Sequence, residues 1–270
     1  MNVMRKTALS FLVICGLLSG ACVIAVVDPA AQGQHWPQES FRKSLNLKPG
    51  GSVSLENMDG DIEISGWGDE KVGILAQRSQ KAPPSAGIHF IGGWFNPPDV
   101  HVRTSPDSVR IRTSESGYDD EGGAVHYVLN VPHSTNLDSV RNGRGRIAVS
   151  DISGRAVLDA EEGAIKISNY SGSLDIRLGN GVVQAEVLDL RPQDSIRVKV
   201  EHGDIILLLE PDAAAQLMAD APAGNISSEF DLGQSLPAKK VTARLAGGQT
   251  AIELTAVQGD IKIRKVEETR

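Results

Sequence analysis

The chain has 270 residues, of which 40% are hydrophobic and 23% charged, an ordinary globular balance with enough length for one large domain. Glycine is abundant, at 28 residues, while only 4% of the chain is aromatic, which suits many short strands and tight turns better than a thick aromatic core. The net charge is −7 and no basic stripe is present to neutralise phosphates, so nucleic acid is not expected as a partner.

Residues 1–27 read as a targeting segment. Arg5 and Lys6 precede an apolar run from Leu9 to Leu18, and Ser19-Gly20-Ala21 are the small residues that a signal peptidase accepts before Cys22. Export to the bacterial cell envelope is the expectation, with three outcomes open. The segment is simply removed; or LSGAC acts as a lipobox, with Cys22 as the lipidation candidate although Ser19 stands where leucine is usual; or the run from Ala8 to Val27, about 20 residues, stays as a membrane anchor. Both cysteines, Cys15 and Cys22, lie here, so the exported domain is expected to hold no disulfide.

Residues 28–40 are polar and read as a tether, and residues 41–270 as a single domain. Leu45, Leu47, Val53 and Leu55 bracket Lys48-Pro49-Gly50-Gly51, which predicts a hairpin-like start. Strands are expected at Asn57 to Trp67 and Lys71 to Gln77. Residues 81–123 then break the pattern with Pro83-Pro84, Gly92-Gly93 and Gly122-Gly123, leaving two strands near His101 to Thr104 and Ser108 to Thr113. Within this irregular insertion Phe90, Trp94 and Phe95 sit beside glycine and proline. They are the candidate partner-binding residues, the alternative being a local plug over one end of the domain. Asp119-Asp120-Glu121 reads as a solvated acidic loop.

From Tyr127 to Pro132 the regular half opens. Glycines at Gly145, Gly154, Gly163, Gly172 and Gly181 recur every 9 residues, with close matches after 18. Apolar residues follow at offsets of two and four, as in Ile147 and Val149 or Ile165 and Ile167, while Arg146 and Lys166 alternate with them. Each unit is therefore expected to be a short, half-buried strand entered through a glycine with positive φ. The same phrase returns as Gly60-Asp61-Ile62, Gly203-Asp204-Ile205, Gly224-Asn225-Ile226 and Gly259-Asp260-Ile261. One such strand cannot bury its apolar face alone, so stacked copies must share a core, as in a β-solenoid or β-roll with rungs of about 18 residues.

The stretch from Asp212 to Ala221 is rich in alanine, but Ala215, Leu217, Ala219 and Ala221 alternate, so a strand is expected there too. Val241 to Leu245, Thr250 to Leu254 and Gly259 to Ile263 are expected to close the roll. Two other architectures fit less well. A calcium-binding nonapeptide roll needs paired glycines and an aspartate at every turn, which turns such as Glu161-Glu162-Gly163 lack. A hexapeptide helix finds one register through Ile152, Leu158, Ala164, Tyr170, Ile176, Val182 and Leu188, but it fails at Arg146 and Asp194.

The run from Tyr127 to Val183 resembles the DUF4097 family of candidate adhesins, whose pattern is a strand ending in Val-Pro followed by repeated Asn-Gly-x-Ile-x-Val and Gly-x-Val units. The likeness extends to Ile263, with an echo at Asn57 to Trp67. It implies a right-handed, all-β, solenoid-like domain that is secreted or displayed on bacterial envelopes, sometimes tied to envelope-stress systems, with no catalytic residues and no cofactor.

The residues themselves add little chemistry. His35, His89, His101, His126, His133 and His202 show no metal-ligand spacing, no GxSxG elbow occurs, and SxxK at Ser40 to Lys43 lacks its helical setting. Asp151, Asp159 and Asp175 are the carboxylates that a carbohydrate-cleaving solenoid could use. The expectation is a non-catalytic, adhesin-like binding or structural module with no metal, meeting an envelope or surface ligand, either protein or glycan. An envelope-stress accessory protein contacting a membrane partner is the alternative.

Overall fold

The computed structural model describes residues 40–79, 98–114, 123–233 and 235–266. Cys22, Phe90, Trp94, Phe95 and the Asp119-Asp120-Glu121 loop lie outside them.

Among the described residues every regular element is a strand. They run, in chain order, β1 (Ser40–Asn46), β2 (Ser52–Asp59), β3 (Ile62–Trp67), β4 (Lys71–Ser79), β5 (Val100–Ser105), β6 (Ser108–Thr113), β7 (Ala124–Pro132), β8 (Asn136–Ser150), β9 (Ala156–Tyr170), β10 (Leu174–Val187), β11 (Ser195–His202), β12 (Ile205–Leu209), β13 (Ala215–Asp220), β14 (Ile226–Ser228), β15 (Lys240–Leu245), β16 (Thr250–Gln258) and β17 (Ile261–Lys265). Among the described residues they join into a 17-stranded sheet that does not close into a barrel. The architecture is an all-β, solenoid-like stack.

The units expected as short strands are longer than that. β8, β9 and β10 each run unbroken through the repeat glycine, and they pair in parallel with Gly145, Gly163 and Gly181 in register. At these glycines the strand bends, and the alternation of buried residues changes parity. In β9, Ala156, Leu158 and Ala160 point inward before the bend, and Ile165 and Ile167 after it. Both halves of each strand thereby bury their apolar side chains in one continuous core of Val, Ile, Leu and Ala. The hexapeptide register is excluded by the same pattern, because Ala164 and Val182 face solvent.

The bend divides the stack into two half-sheets. The first runs β5, β6, β2, β8, β9, β10, β11, β16, β13, β15. The second runs β1, β4, β7, β3, β8, β9, β10, β12, β17, β14. Along the corner between them Gly60, Gly145, Gly163, Gly181, Gly203 and Gly259 stack with φ between +119° and +157°. Each carbonyl lies where a side chain on the next glycine would begin. The other glycines of the nine-residue series, Gly154 and Gly172, stack in the same way where one rung passes to the next.

The recurring Gly-Asp-Ile phrase has a specific job at this corner. The aspartate accepts the backbone N–H of the equivalent residue one rung along: Arg146 N–H to Asp61 Oδ1, Asp260 N–H to Asp204 Oδ1 and Asn225 N–H to Asp260 Oδ1, each at 2.9 Å. That donated N–H, followed by the Lys262 ammonium, holds the Asp204 carboxyl below the usual carboxylate range.

Three features depart from the sequence reading. The Pro49-Gly50 turn does not make a hairpin: β1 pairs antiparallel with β4, whereas β2 pairs in parallel with β6 and β8. The two strands expected near His101 to Thr104 and Ser108 to Thr113 do form, as β5 and β6, but they pair antiparallel and extend the first half-sheet instead of belonging to an irregular insertion. The final strands do not close the stack, because β16–β17 inserts between β11–β12 and β13–β14. By contrast β13 is a strand as its alternation predicts, overriding alanine's helical preference because Ala215, Leu217 and Ala219 fill core positions.

Candidate functional site

The outward face of the first half-sheet is where the structure concentrates polar chemistry. Parallel register brings like positions of successive rungs side by side, so one residue column crosses the whole face. Arg112, Glu56, Arg141, Asp159, Arg177 and Lys199 occupy one such column, in strand order β6, β2, β8, β9, β10, β11. The sign alternates along most of it. Glu56 lies 3.2 Å from Arg112 and 3.6 Å from Arg141. In the neighbouring column Arg197 bridges Glu253 at 3.0 Å and Asp175 at 3.5 Å, and the hydrogen bond that Arg197 Nε donates to Glu253 raises the affinity of the guanidinium for its proton. These pairs are largely exposed, so they set register and surface potential more than they set stability.

The three aspartates singled out for acid–base work do not form a catalytic cluster. Asp159 stands directly between Arg141 and Arg177, and Asp175 is held by Arg197. Asp151 sits at a rung-to-rung corner with φ of 59°, where its Oδ1 accepts a 2.6 Å hydrogen bond from Asn169. The histidines are dispersed: His101, His133 and His202 are exposed, and the half-buried His126 accepts the Asp61 N–H on Nδ1 at 3.1 Å. Among the described residues no group of three or more His, Cys, Asp or Glu side chains could hold a metal ion.

Sequence reasoning missed a polar knot inside the core. Asn57 and Asn142 occupy a position that Ala160, Leu178 and Val200 fill in the next rungs, and both are buried. Asn57 Nδ2 donates to Asn142 Oδ1 at 3.2 Å and to the Val125 carbonyl at 3.0 Å. Its Oδ1 accepts from Thr113 at 2.9 Å, and the Thr113 hydroxyl meets the Tyr127 hydroxyl at 2.7 Å. Burial pushes the Tyr127 phenol up, with the Thr113 hydrogen bond pulling the other way. The knot ties β2, β6, β7 and β8 together, and its members are too far apart in sequence for spacing to suggest it.

At the β5–β6 end of the same face the surface dips into a groove of about 570 Å³, walled by side chains of β5, β6, β2 and β8. Arginines dominate its lining. It lies on strands rather than loops.

Comparison with known proteins agrees with this architecture. No curated protein matches the chain. A crystal structure of a candidate cell-adhesion protein from Clostridium sporogenes superposes with a TM-score of 0.50 at 12% identity, covering 84% of this chain and 100% of that one. A candidate adhesin from Bacteroides fragilis gives a TM-score of 0.29 at 6% identity, covering 84% of this chain and 97% of its own. The first supports the fold alone, and the second carries no weight. The family model Toastrack DUF4097 matches residues 136–264, the stretch from β8 to β17, and that stretch carries the chain's likeness to the DUF4097 family.

Proposed function

We propose that the chain is a non-catalytic, adhesin-like binding or structural module exported to the bacterial envelope. The observation that carries this reading is the first half-sheet's outward face, where charged and hydroxyl side chains lie in registered columns on a rigid stack. A face of that kind offers many evenly spaced polar contacts. In this reading residues 1–27 direct export, and Cys22 supplies a lipid anchor if the LSGAC signal is used.

Protease treatment of intact cells, with the mass of the mature N-terminus read from the same preparation, tests the proposal. Digestion of the domain on intact cells, with a lipidated Cys22, supports surface display. Protection from added protease moves the module inside the envelope, and recovery from the cytosolic fraction overturns the reading.

A further inference from the structure

Deepening the binding reading above, on which it rests, we propose that the groove bounded by β5, β6, β2 and β8 binds an acidic polysaccharide, with Arg103 and Arg110 as its anion clamp. In the antiparallel β5–β6 pair Arg103 and Arg110 are directly opposite one another, and both are exposed. Like charges in that relation repel and destabilise a sheet. Elsewhere on this face the parallel register gives arginines an acidic neighbour, as for Arg141 and Asp159 or Arg177 and Asp159, even where Arg177 also stands beside Lys199. Here it does not: the row continues from Arg110 to Ser54 and then to Ser139, hydroxyls that neutralise nothing.

The adjoining row supplies no relief. The only acidic residue lining the groove among the described residues is Glu56, and it is already shared between Arg112 and Arg141. Among the described residues the positive site is thus uncompensated, in a chain whose net charge is −7. A carboxylate or sulfate between the two guanidinium groups would remove the repulsion and accept paired N–H donors.

The rest of the lining selects among anions. Ser54 and Ser139 offer hydroxyls, and Glu56 an acceptor, that match the hydroxyls of a sugar ring. Among the described residues no Phe, Tyr or Trp lines the groove, its one ring being the His101 imidazole, and its one apolar lining residue, Ile111, is fully buried, so no described apolar side chain projects to enter a lipid layer. Four strands at about 4.8 Å spacing make a trough about 14 Å long, open along the sheet and suited to a linear chain.

Titration calorimetry of the whole chain with oligogalacturonate and with dextran sulfate, against uncharged dextran and phosphatidylglycerol vesicles, tests this. The expected result is binding of at least one acidic glycan, with no binding of dextran. The double variant Arg103→Thr, Arg110→Thr should bind roughly tenfold more weakly or worse. Its melting temperature should equal or exceed that of the parent, which separates lost binding from lost folding. Equal binding by the double variant, binding of vesicles alone, or binding of neither acidic glycan overturns the proposal. Binding to isolated envelope fragments, run in parallel, separates the two claims. If the parent and double variant bind fragments equally, the module reading survives and the arginine clamp does not; if the parent binds none, both fall.

Discussion

A side chain placed on Gly181 would begin inside the carbonyl oxygen of Gly163, its partner in the adjoining rung. The conformation is also forbidding, because φ at Gly181 is +140°. Backbone on both sides fixes the clash, so no rotamer change relieves it. Gly181→Ala is expected to cost about 4 kcal/mol or more, at the severe end of single substitutions. Gly68→Ala, where nothing lies within 4 Å, should be close to neutral. Urea titrations of the two variants, followed by circular dichroism, make the comparison.

Thr135 is fully buried, and its Oγ1 has no hydrogen-bond partner. The hydroxyl has lost water without compensation. Replacing it with a methyl of nearly the same size removes that penalty, so Thr135→Val should raise stability by about 1 kcal/mol. A lowered urea midpoint for this variant would contradict the geometry.

Removing Asn57 should be costly out of proportion to its size. Asn57→Ala leaves the Val125 carbonyl, the Asn142 Oδ1 and the Thr113 hydroxyl without their shared partner. A loss of about 3 kcal/mol is expected, read from the shift in unfolding midpoint. A double-mutant cycle with Asn142→Ala should show strong coupling, because each side chain is the other's neighbour in the knot.

Asp204 makes one part of the acid response predictable. Its folded-state proton affinity is lowered, so ionised Asp204 stabilises the fold above the unfolded carboxylate value, and that contribution disappears as pH falls through the lower folded value. The window therefore opens below about pH 4. Asp204→Asn keeps an oxygen for the Asp260 N–H but cannot titrate, and it should flatten the acid limb of a stability–pH curve without moving the neutral plateau by much. An unchanged acid limb would sink the assignment.

How much of this could be read in the chain depends on how local each feature is. The glycine series, the strand character of Ala215–Asp220 and the stacked core all follow from spacing, because a period-two pattern and a positive-φ glycine act within one rung. The order of the rungs does not follow. Gly203-Asp204-Ile205 and Gly259-Asp260-Ile261 are nearly the same phrase, and nothing in either one says that it will be the other's neighbour. The candidate site was hidden for the same reason. Arg103, Arg110, Ser54 and Ser139 meet only because β2 receives β6 on one side and β8 on the other. Phe90, Trp94 and Phe95, the residues that composition favoured, lie outside the described residues.

The intercalated β16–β17 pair changes how this stack can be assembled. A simple solenoid can zip from one end, each new rung docking on the last as it emerges from a ribosome or a translocation pore. Here the segment from Ala215 to Ser228 arrives before the strands that must separate it from β11 and β12. Those four strands keep an unpaired edge until the final strands are delivered, and the gap is then closed from within. The C-terminal strands thus act as a keystone: a chain truncated before Thr250 would carry most of the repeat and still expose raw edges in the middle of the stack.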